Sequence, residues 1–530
     1  MQRLRPARPI RISALEAIAL VCAFLIVALI GWSRCYDPLV GDQALFLIGA
    51  EKLAAGGVLY RDFWDIKQPG VFAFFLAGGR LFGFDQIGEH AADLVWQLAF
   101  AAALVAGLRG CFGRERIVLA FAPLAVIGSY YAGSSSWHLL QVEELVGLPL
   151  FGCAALLLAA IRRSSARLAL ASGLCAAAVL AFKLLFAIII LALVTATLAT
   201  TRASLTRRSL RQLASPWLAG VLLPVAAFTA YAVAHAATGT TLRTTFVIPV
   251  EVLLTTEMHA PAARLADSAM RFLLYFRGLI FLGLIGLVAA DRTSASALAW
   301  RAIAAAWIVA DGVVIAIQLS SWWQYHFLLL VPPVGILASF GLAFLIRLGR
   351  ASVPKAIAAL ALAGVVAYVA VPLPQGAIGT LLRVARERPF GSPAALERYR
   401  IATNGEYADA FADAAPARRF GAATTVYVFG DPLIYVDSGR SQAIAMNSWA
   451  IALFTPGLWR RTVRELCERP PDDIFVFDRF VPRLRDGDGG APMRLLADDF
   501  RPSARTRDGQ WYSLRAARAA ATCGSHIPAF

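Results

Sequence analysis

Charged side chains are scarce in this sequence. Asp, Glu, Lys and Arg make up only 16% of its 530 residues, whereas 59% are hydrophobic and the mean hydropathy is +0.64. A soluble domain of this size could not bury so much apolar surface. The composition therefore excludes a soluble globular protein. A lipid bilayer must therefore cover part of the apolar surface.

Several motifs of soluble enzymes and of metal sites are also missing. The seven cysteines form no Cys-X-X-Cys pair and show no Cys/His metal spacing, and the chain contains no P-loop, GxSxG or HExxH. Neither a cofactor nor a metal site is therefore indicated. Only Cys35, Cys467 and Cys523 could meet an oxidising compartment, and a bridge between Cys467 and Cys523 is one open option.

Positive charge is concentrated in short arginine clusters between apolar runs. The net charge of +16 therefore indicates membrane topology and no nucleic-acid partner. With the N-terminus in the cytoplasm, the predicted inside segments carry nineteen Arg and Lys, against Glu115 and Asp291 as their acids. The positive-inside rule expects this asymmetry. We predict a multi-pass protein of a bacterial inner membrane.

Eleven segments are apolar enough to cross a bilayer. They are 12–31, 89–108, 116–131, 138–161, 168–182, 184–199, 213–235, 272–290, 302–318, 326–346 and 356–372. The first lacks a small-residue cleavage site, so we expect a retained helix and not a signal peptide. The run 168–199 could be one helix or two, and a break at Lys183 is favoured because it returns the next arginine cluster to the inside.

The composition changes after residue 372 towards charge, proline and glycine. We therefore predict a transmembrane domain over 1–372 and an external α/β domain over 373–530. Its predicted strands are 425–430, 474–480 and 509–516, with a helix in TPGLWRRTVRELCE between the first strand and the second.

The first external loop, 32–88, carries the most interesting acid. Residues 43–55 have the apolar spacing of a helix along the membrane surface, with Asp42 at its start and Gly56-Gly57 at its end. Asp42 could be only an N-cap. Alternatively, its carboxylate could act as general base towards an acceptor hydroxyl, and both readings are compatible.

Further along the loop, YRDFWDIKQPG places Asp62, Asp65 and Lys67 among aromatic residues. An exposed Asp65–Lys67 pair would contribute only about 0–1 kcal/mol, so a salt bridge alone is a weak reason for these residues. A lysine in a partly dry site could instead neutralise the charge that grows on a phosphate leaving group.

Together, the helix between Asp42 and Gly57, the YRDFWDIKQPG segment and QYHFLLLVPP at 324–333 resemble a known family. They are similar to the polyprenyl-phosphate-sugar-dependent transferases of the GT-C superfamily. The nearest relatives are bacterial members of the dolichyl-phosphate-mannose protein mannosyltransferase and aminoarabinose transferase group, including Rgt-like lipopolysaccharide-core glycosyltransferases. The resemblance runs from the first helix to about residue 346 and implies a GT-C-like polytopic α-helical fold.

The resemblance also implies an inverting sugar transfer on the external face of the membrane. Asp42 matches the family's loop aspartate, and Lys67 matches the lysine that meets the lipid phosphate. The sequence departs from the family at Lys67-Gln68-Pro69, where relatives have Lys-Pro-Pro, and at Ile66, where aminoarabinose transferases have an acid. Asp62 and Asp65 are thus alternative second acids, as acceptor or sugar contacts.

Three further residues lie near predicted external helix ends. Glu143 and Glu144 are either acceptor or sugar contacts or a plain acid pair at a helix end. Lys183 resembles a lysine that relatives place between their fifth and sixth spans, which would bind phosphate; the alternative is a snorkelling side chain.

Other candidates for the donor phosphate are Tyr325, His326 and Arg271. Tyr325 is most simply part of an aromatic belt with its neighbouring tryptophans, and His326 could bond a phosphate oxygen. Arg271 either binds phosphate or anchors the eighth span.

Two other functions remain open. A transporter or flippase of a lipid-linked or anionic substrate would also explain intramembrane charges, although no inverted repeat is evident. A lipid-linked oligosaccharide ligase or polymerase would have similar spans. The leading prediction is a glycosyltransferase with a polyprenyl-phosphate sugar donor and a cell-envelope glycan, lipid or protein acceptor, in contact with membrane lipids.

Overall fold

A computed structural model of the chain describes residues 13–255, 259–289, 294–421 and 424–515. Cys523, Asp291 and the arginines before residue 12 lie outside the described residues, and so does the Cys467–Cys523 bridge that the sequence left open. The described chain is mostly helical, with one five-stranded sheet in its C-terminal part.

The long apolar segments form a helical bundle. Ten described helices are long and apolar enough to cross a bilayer: Ala14–Arg34, Gln86–Leu108, Arg116–Gly133, Val142–Arg163, Leu184–Thr201, Arg207–Ala234, Ala262–Val288, Ala295–Ile317, Gln324–Ala351 and Val353–Ala370. Ala166–Phe182 is a shorter apolar helix of 17 residues. These helices coincide with the eleven predicted spans. The protein is therefore a multi-pass membrane protein.

The predicted break at Lys183 is present. The helix Ala166–Phe182 ends there because Lys183 has an extended backbone, with φ −162° and ψ 117°. Its backbone N–H still donates to the Val179 carbonyl, and a new helical turn begins at Leu184. The lysine thus occupies a corner between two helices instead of the middle of one.

Glycines allow two of these helices to pack backbone against backbone. Gly173 of Ala166–Phe182 meets Gly220 of Arg207–Ala234, and a Cβ at Gly173 would lie 2.0 Å from the Trp217 carbonyl oxygen. Small residues commonly bring membrane helices this close, because lipid gives no hydrophobic drive for association. These two helices therefore form a tight pair within the bundle.

Polar contacts join helix ends at two opposite ends of the bundle. At one end, the Lys183 ammonium contacts Glu143. At the other, the Arg347 guanidinium lies 3.4 Å from the Glu115 carboxylate. Each membrane helix crosses from one end of the bundle to the other. Counting the predicted helices along the chain therefore also places these two pairs at opposite ends.

The first loop folds into two helices, Asp42–Ala54 and Pro69–Phe82. The first was expected, although its residues from Gln43 to Ala50 are all buried and do not lie along a surface. Phe46 packs edge-on against Phe72 and Phe75 of the second helix, which covers it. The second helix was not predicted from the sequence.

The glycine stop of the first loop helix is as predicted. Gly56 has φ +90°, and the Gly57 N–H donates to the Lys52 carbonyl across the end of the helix. This is the hydrogen bond of a Schellman ending, in which glycine adopts the left-handed backbone most easily.

The C-terminal part begins with three helices, Pro372–Glu387, Pro393–Thr403 and Gly405–Asp413. A mixed sheet follows, formed by β1 (Thr425–Phe429), β2 (Ser441–Gln442), β3 (Asp473–Phe477), β4 (Phe500–Arg505) and β5 (Gly509–Leu514), in the order β2-β1-β3-β5-β4. The pairs β2-β1 and β1-β3 are parallel, and β3-β5 and β5-β4 are antiparallel. The remaining α-helices are Thr238–Leu242, Ile248–Leu254, Leu433–Ser438, Pro456–Glu468, Val481–Asp486 and Ala491–Asp499.

The three predicted strands and the helix Pro456–Glu468 are confirmed. β2 and β4 were not predicted. β2 has only two residues, and β4 is an edge strand that carries Arg501, Pro502 and Arg505, with an irregular register beside it. Such features weaken the alternation by which a strand is recognised.

The C-terminal part packs directly onto the first loop. The Trp64 N–H donates to the Ala445 carbonyl, and the Tyr399 hydroxyl donates to the Asp37 carboxylate. Arg34 holds Asp37 from the other side at 2.9 Å. Residues far apart in sequence thus form one layer over the end of the bundle that carries Lys183.

Candidate functional site

The Asp42 carboxylate and the Lys67 ammonium form an ion pair. Asp42 Oδ2 lies 3.0 Å from Lys67 Nζ, and Oδ1 accepts a 2.8 Å hydrogen bond from the Trp449 indole N–H. The Asp42 side chain is 15% exposed and that of Lys67 is 29% exposed. Both predicted residues therefore meet at a partly open position between the loop and the C-terminal part.

Gly41, and not Asp42, is the N-cap of the first loop helix. Gly41 has φ +57°, and a Cβ there would lie 2.6 Å from the Trp137 ring and 2.8 Å from the Trp449 ring. Asp42 is the first residue of the helix and makes no capping hydrogen bond. The N-cap interpretation is therefore wrong, and the Asp42 carboxylate is directed to Lys67 and Trp449.

The side chain of Gln43 fixes the start of this helix. Its amide donates to the carbonyls of Ser136 and Leu139 at 2.7 and 2.6 Å, and its oxygen accepts the Val40 N–H. These bonds tie the turn that carries Asp42 to a connection between two membrane helices.

Asp65 holds the loop beside Lys67 through hydrogen bonds. Its carboxylate accepts the Lys67 backbone N–H at 2.8 Å and the Asn447 amide at 3.3 Å, while the Tyr60 hydroxyl donates to the Lys67 carbonyl. Burial raises the pKa of Asp65, although Lys67 opposes this. Asp65 therefore contacts the lysine's backbone and not its ammonium.

The ammonium of Lys67 is stabilised in its charged form. Burial alone would lower the pKa of Lys67, but the carboxylates of Asp42 and Asp65 outweigh burial and raise it. The Glu143 carboxylate acts in the same direction. Lys67 thus carries a permanent positive charge at neutral pH.

A second ion pair is formed by Glu143 and Lys183. Glu143 Oε1 lies 2.8 Å from Lys183 Nζ, and the lysine also donates to the side-chain oxygen of Gln318. Glu143 is buried, whereas the Lys183 side chain is 25% exposed. Three helix ends therefore converge on one cation.

His326 and Tyr325 lie close enough to both ion pairs for the charges of each pair to act on them. His326 Nε2 is 3.7 Å from Glu143 Oε1, and the charges of Asp42 and Lys67 also act on its ring. The Tyr325 ring packs edge-on against the imidazole at 4.6 Å and feels the charges of Asp42 and Glu143. The two pairs and these rings form one polar cluster.

Three predicted residues lie elsewhere. Glu144 faces away from Lys183 and accepts a hydrogen bond from Gln97 inside the bundle. Asp62 accepts the Val58 N–H and pairs with Arg61, whose hydrogen bond lowers the pKa of Asp62. Arg271 pairs with Asp267 at 2.9 Å on an exposed helix face, so none of the three touches the cluster.

The architecture is similar to that of two crystal structures of ArnT from Cupriavidus metallidurans. The structure bound to undecaprenyl phosphate has a TM-score of 0.61 and 18% sequence identity, and covers 95% of this chain and 99% of that chain. The apo structure has a TM-score of 0.60 and 17% identity, with 94% and 98% covered. The chain has a GT-C fold. No family model and no curated protein matches the sequence.

The GT-C fold brings together residues that sequence reasoning missed. Trp449 donates to Asp42 from 407 residues away, Asn447 donates to Asp65, and Gln318 accepts from Lys183. No local pattern marks them, because each acts through a contact between distant segments. Only the change of composition at residue 372 indicated a second region at all.

The chemistry of the cluster follows from its charges. It offers two carboxylates, Asp42 and Glu143, two lysines on separate elements and one buried imidazole within the GT-C fold. Among the described residues, no group of three or more His, Cys, Asp or Glu side chains could hold a metal ion. The cluster can therefore accept a proton at Asp42 and neutralise an anion at Lys67 and Lys183.

Proposed function

We propose that this protein transfers a sugar from a polyprenyl-phosphate donor to a cell-envelope glycan, lipid or protein acceptor, with inversion at the anomeric carbon. The observation that carries this proposal is the 3.0 Å contact between the Asp42 carboxylate and the Lys67 ammonium. A base and a phosphate-binding cation are the two groups that such a transfer needs at one place.

Asp42 acts as the general base. Its carboxylate takes the proton of the acceptor hydroxyl, whose oxygen forms the new bond to the anomeric carbon. The bond between that carbon and the phosphate oxygen breaks, and its electrons leave with the polyprenyl phosphate. A positioned base of this kind contributes about 10²- to 10⁴-fold to a rate.

Lys67 changes partner when the donor binds. Without donor its ammonium neutralises Asp42. With donor it turns to the phosphate, whose negative charge grows as the polyprenyl phosphate leaves, and Asp42 is then free to accept a proton. The Lys67 side chain is 29% exposed and belongs to a loop, which gives it room to move. Donor binding thereby activates the base.

Lys183 is the second cation for the phosphate. Glu143 and Gln318 hold its ammonium at the bundle end, and the charges of both Lys183 and Lys67 act on the His326 ring. Two cations facing one site stabilise the charge that develops on a leaving phosphate better than one, since they are already oriented when the charge appears.

The fold also supports a polyprenyl-phosphate donor. ArnT, which shares the fold over nearly the whole chain, has been crystallised with undecaprenyl phosphate. We place the reaction at the external face of a bacterial inner membrane, with the N-terminus in the cytoplasm. This orientation follows from the positive-inside asymmetry of the sequence.

Purified protein in lipid nanodiscs should release polyprenyl phosphate from polyprenyl-phosphate sugars when an envelope extract supplies acceptor. We expect Asp42→Asn to lower the rate at least about 100-fold, because the amide cannot take the proton. Asp409 provides the control, because this half-buried acid pairs with Arg507 and not with the cluster, and Asp409→Asn should transfer at the wild-type rate.

Full turnover by Asp42→Asn would rule out the base assignment. If sealed vesicles instead carry the intact lipid-linked sugar across the bilayer without any transfer, the protein is a flippase and the proposal fails.

A further inference from the structure

The helix Pro372–Glu387, here called the rim helix, lies across the ends of two neighbouring membrane helices. Near its start, a Cβ at Gly376 would lie 2.5 Å from the Ala132 carbonyl oxygen, in the last turn of one membrane helix. Eight residues later, about 12 Å along the helix axis, Val384 shares a buried cluster with Tyr36, which follows the first membrane helix. The rim helix thus passes from one helix end to the next.

These two membrane helices end at the same level. Arg34, the last residue of the first membrane helix, donates from its guanidinium to the Tyr131 carbonyl in the last turn of the other. Phe390, three residues after the rim helix, lies beside Trp32 of the first membrane helix, with ring centroids 6.2 Å apart. Aromatic rings at the ends of membrane helices are typical of the membrane–water interface. The rim helix therefore runs along the edge of the bundle at that interface.

The apolar side of the rim helix is only partly covered by protein. Leu373, Ala377 and Val384 are buried, whereas Ile378 and Leu382 are 56% and 65% exposed. Ile378 and Leu382 lie only about 40° apart around the helix, because four residues turn it by about 400°. They form an exposed apolar strip at the level where the neighbouring membrane helices meet lipid. The acyl chains around those helices can therefore cover this strip.

Arginines border this apolar strip. Arg383, Arg386 and Arg388 are exposed, and none of their guanidinium groups has a hydrogen bond or an ion pair within the part of the chain that the structure describes. Arg386 lies about 40° beyond Leu382 around the helix. Glu387 is the only acid between residues 372 and 390, so positive charge is in excess. Cations beside an exposed apolar strip indicate a helix that lies in the membrane interface and attracts anionic headgroups.

We propose that the rim helix binds phospholipids with anionic headgroups, in the leaflet at this end of the bundle. Ile378 and Leu382 contact the acyl chains, and Arg383 and Arg386 bind the headgroup phosphates. Because the rim helix joins the last membrane helix to the C-terminal part, this contact fastens the C-terminal part to the membrane surface. The inference is independent of the sugar-transfer proposal.

The test uses the full-length protein with benzoylphenylalanine in place of Leu382, in nanodiscs with equal amounts of phosphatidylglycerol and phosphatidylcholine. Ultraviolet light links this side chain to a C–H group that touches it, and mass spectrometry identifies the linked molecule. We expect phospholipid to be captured, with at least about fivefold more phosphatidylglycerol than phosphatidylcholine. Each arginine near an anionic lipid surface strengthens binding about fivefold.

The role of the arginines is tested by combining Arg383→Gln and Arg386→Gln in the same cross-linking protein. This double variant should capture the two lipids about equally. The matched control combines Arg483→Gln and Arg485→Gln, because both arginines are exposed on Val481–Asp486 in the C-terminal part. The control loses the same charge and should keep the preference for phosphatidylglycerol.

Two kinds of result would overturn the inference. Capture of protein alone, or of neither lipid, would show that lipid does not cover the strip. Equal capture of both lipids with the arginines intact, or an unchanged preference in the Arg383 and Arg386 double variant, would show that the rim helix does not bind anionic headgroups. Sugar transfer is measured separately, so a failure here leaves the transferase proposal standing.

Discussion

Glu143 and Glu144 are adjacent in sequence, but their side chains have different partners. Glu143 pairs with Lys183, whereas the next residue, Glu144, bonds Gln97 inside the bundle. Successive residues of a helix point about 100° apart, so adjacency in sequence says little about shared surroundings. In the sequence the two acids form one pair, and no local pattern shows which of them belongs to the site.

We expect Glu143→Gln to slow sugar transfer about 10- to 100-fold. The change removes the charged partner that orients Lys183, and one hydrogen bond between charged groups contributes about 1.5–3 kcal/mol. Initial rates at saturating donor would measure this. Glu144→Gln should transfer at the wild-type rate, and an equal loss in both variants would contradict the assignment of Lys183.

Residues of the candidate site could be predicted where a short sequence segment marks them. Asp42 and Lys67 lie 25 residues apart, and a resemblance over a few letters was enough to select them. Trp449 and Asn447 were not predictable, because their partners are Asp42 and Asp65, far along the chain.

The turn before the first loop helix combines two demands on one glycine. Gly41 has φ +57°, and its missing side chain leaves room for the rings of Trp137 and Trp449. A residue with a Cβ would be strained and would displace Trp449, which holds Asp42.

Gly41→Ala should therefore reduce the rate of sugar transfer even at temperatures where the variant remains folded. Gly113→Ala is the matched control, because Gly113 has φ +56° but nothing within 4 Å of an added Cβ. Gly41→Ala should lower the unfolding temperature more than Gly113→Ala does, because it adds contacts with the Trp137 and Trp449 rings to the strain of about 1–2 kcal/mol that a positive φ imposes on both. If Gly113→Ala loses transfer equally, positioning by Gly41 is disproved.

The close contact of two membrane helices at Gly173 leads to a prediction about stability. Gly173→Leu should lower the unfolding temperature in detergent, because the added side chain meets the Trp217 backbone, which cannot rotate away. Overpacking of this kind costs about 1–3 kcal/mol. Gly364→Leu, at a helical glycine with no neighbour within 4 Å, should have little effect.

Most elements could be predicted from the sequence. Membrane helices are long and uniformly apolar, and β1, β3 and β5 have clear runs of strand residues. The burial of Asp42–Ala54 could not be predicted, because its cover is supplied by Pro69–Phe82, a helix that reads as part of a loop.

Over the whole molecule, the buried acids of the C-terminal part make stability depend on pH. Burial raises the pKa of Asp431 from 3.8 to about 7, although its bond from the Leu433 N–H and the charge of Arg479 oppose this. The folded protein therefore keeps a proton that the unfolded chain releases. This contribution is complete below about pH 4 and is lost as the pH rises to about 7.

Asp431→Asn should flatten the fall of the unfolding temperature between about pH 4 and pH 7. Each pH unit in this range costs at most about 1.4 kcal/mol for one such group. Thermal unfolding of the full-length protein at several pH values measures this, with Asp409→Asn as control. An unchanged slope in Asp431→Asn would show that Asp431 does not hold the proton.

Counting the predicted spans along the chain shows which loops lie on the same side of the bundle. Alternation of eleven spans placed the first loop, Glu143 and Lys183 on one side, and these residues do meet in the structure. The way the C-terminal part covers that side was not predictable, because no sequence period connects strands to a distant loop.

The most direct test is the affinity of undecaprenyl phosphate for the wild type, Lys67→Gln and Asp42→Asn in nanodiscs at neutral pH. If Lys67 leaves Asp42 to bind the lipid phosphate, Lys67→Gln should bind at least tenfold more weakly. Asp42→Asn should bind as tightly as the wild type or more tightly, because its lysine has no competing carboxylate. Wild-type affinity in Lys67→Gln would contradict the proposed role of the Asp42–Lys67 pair.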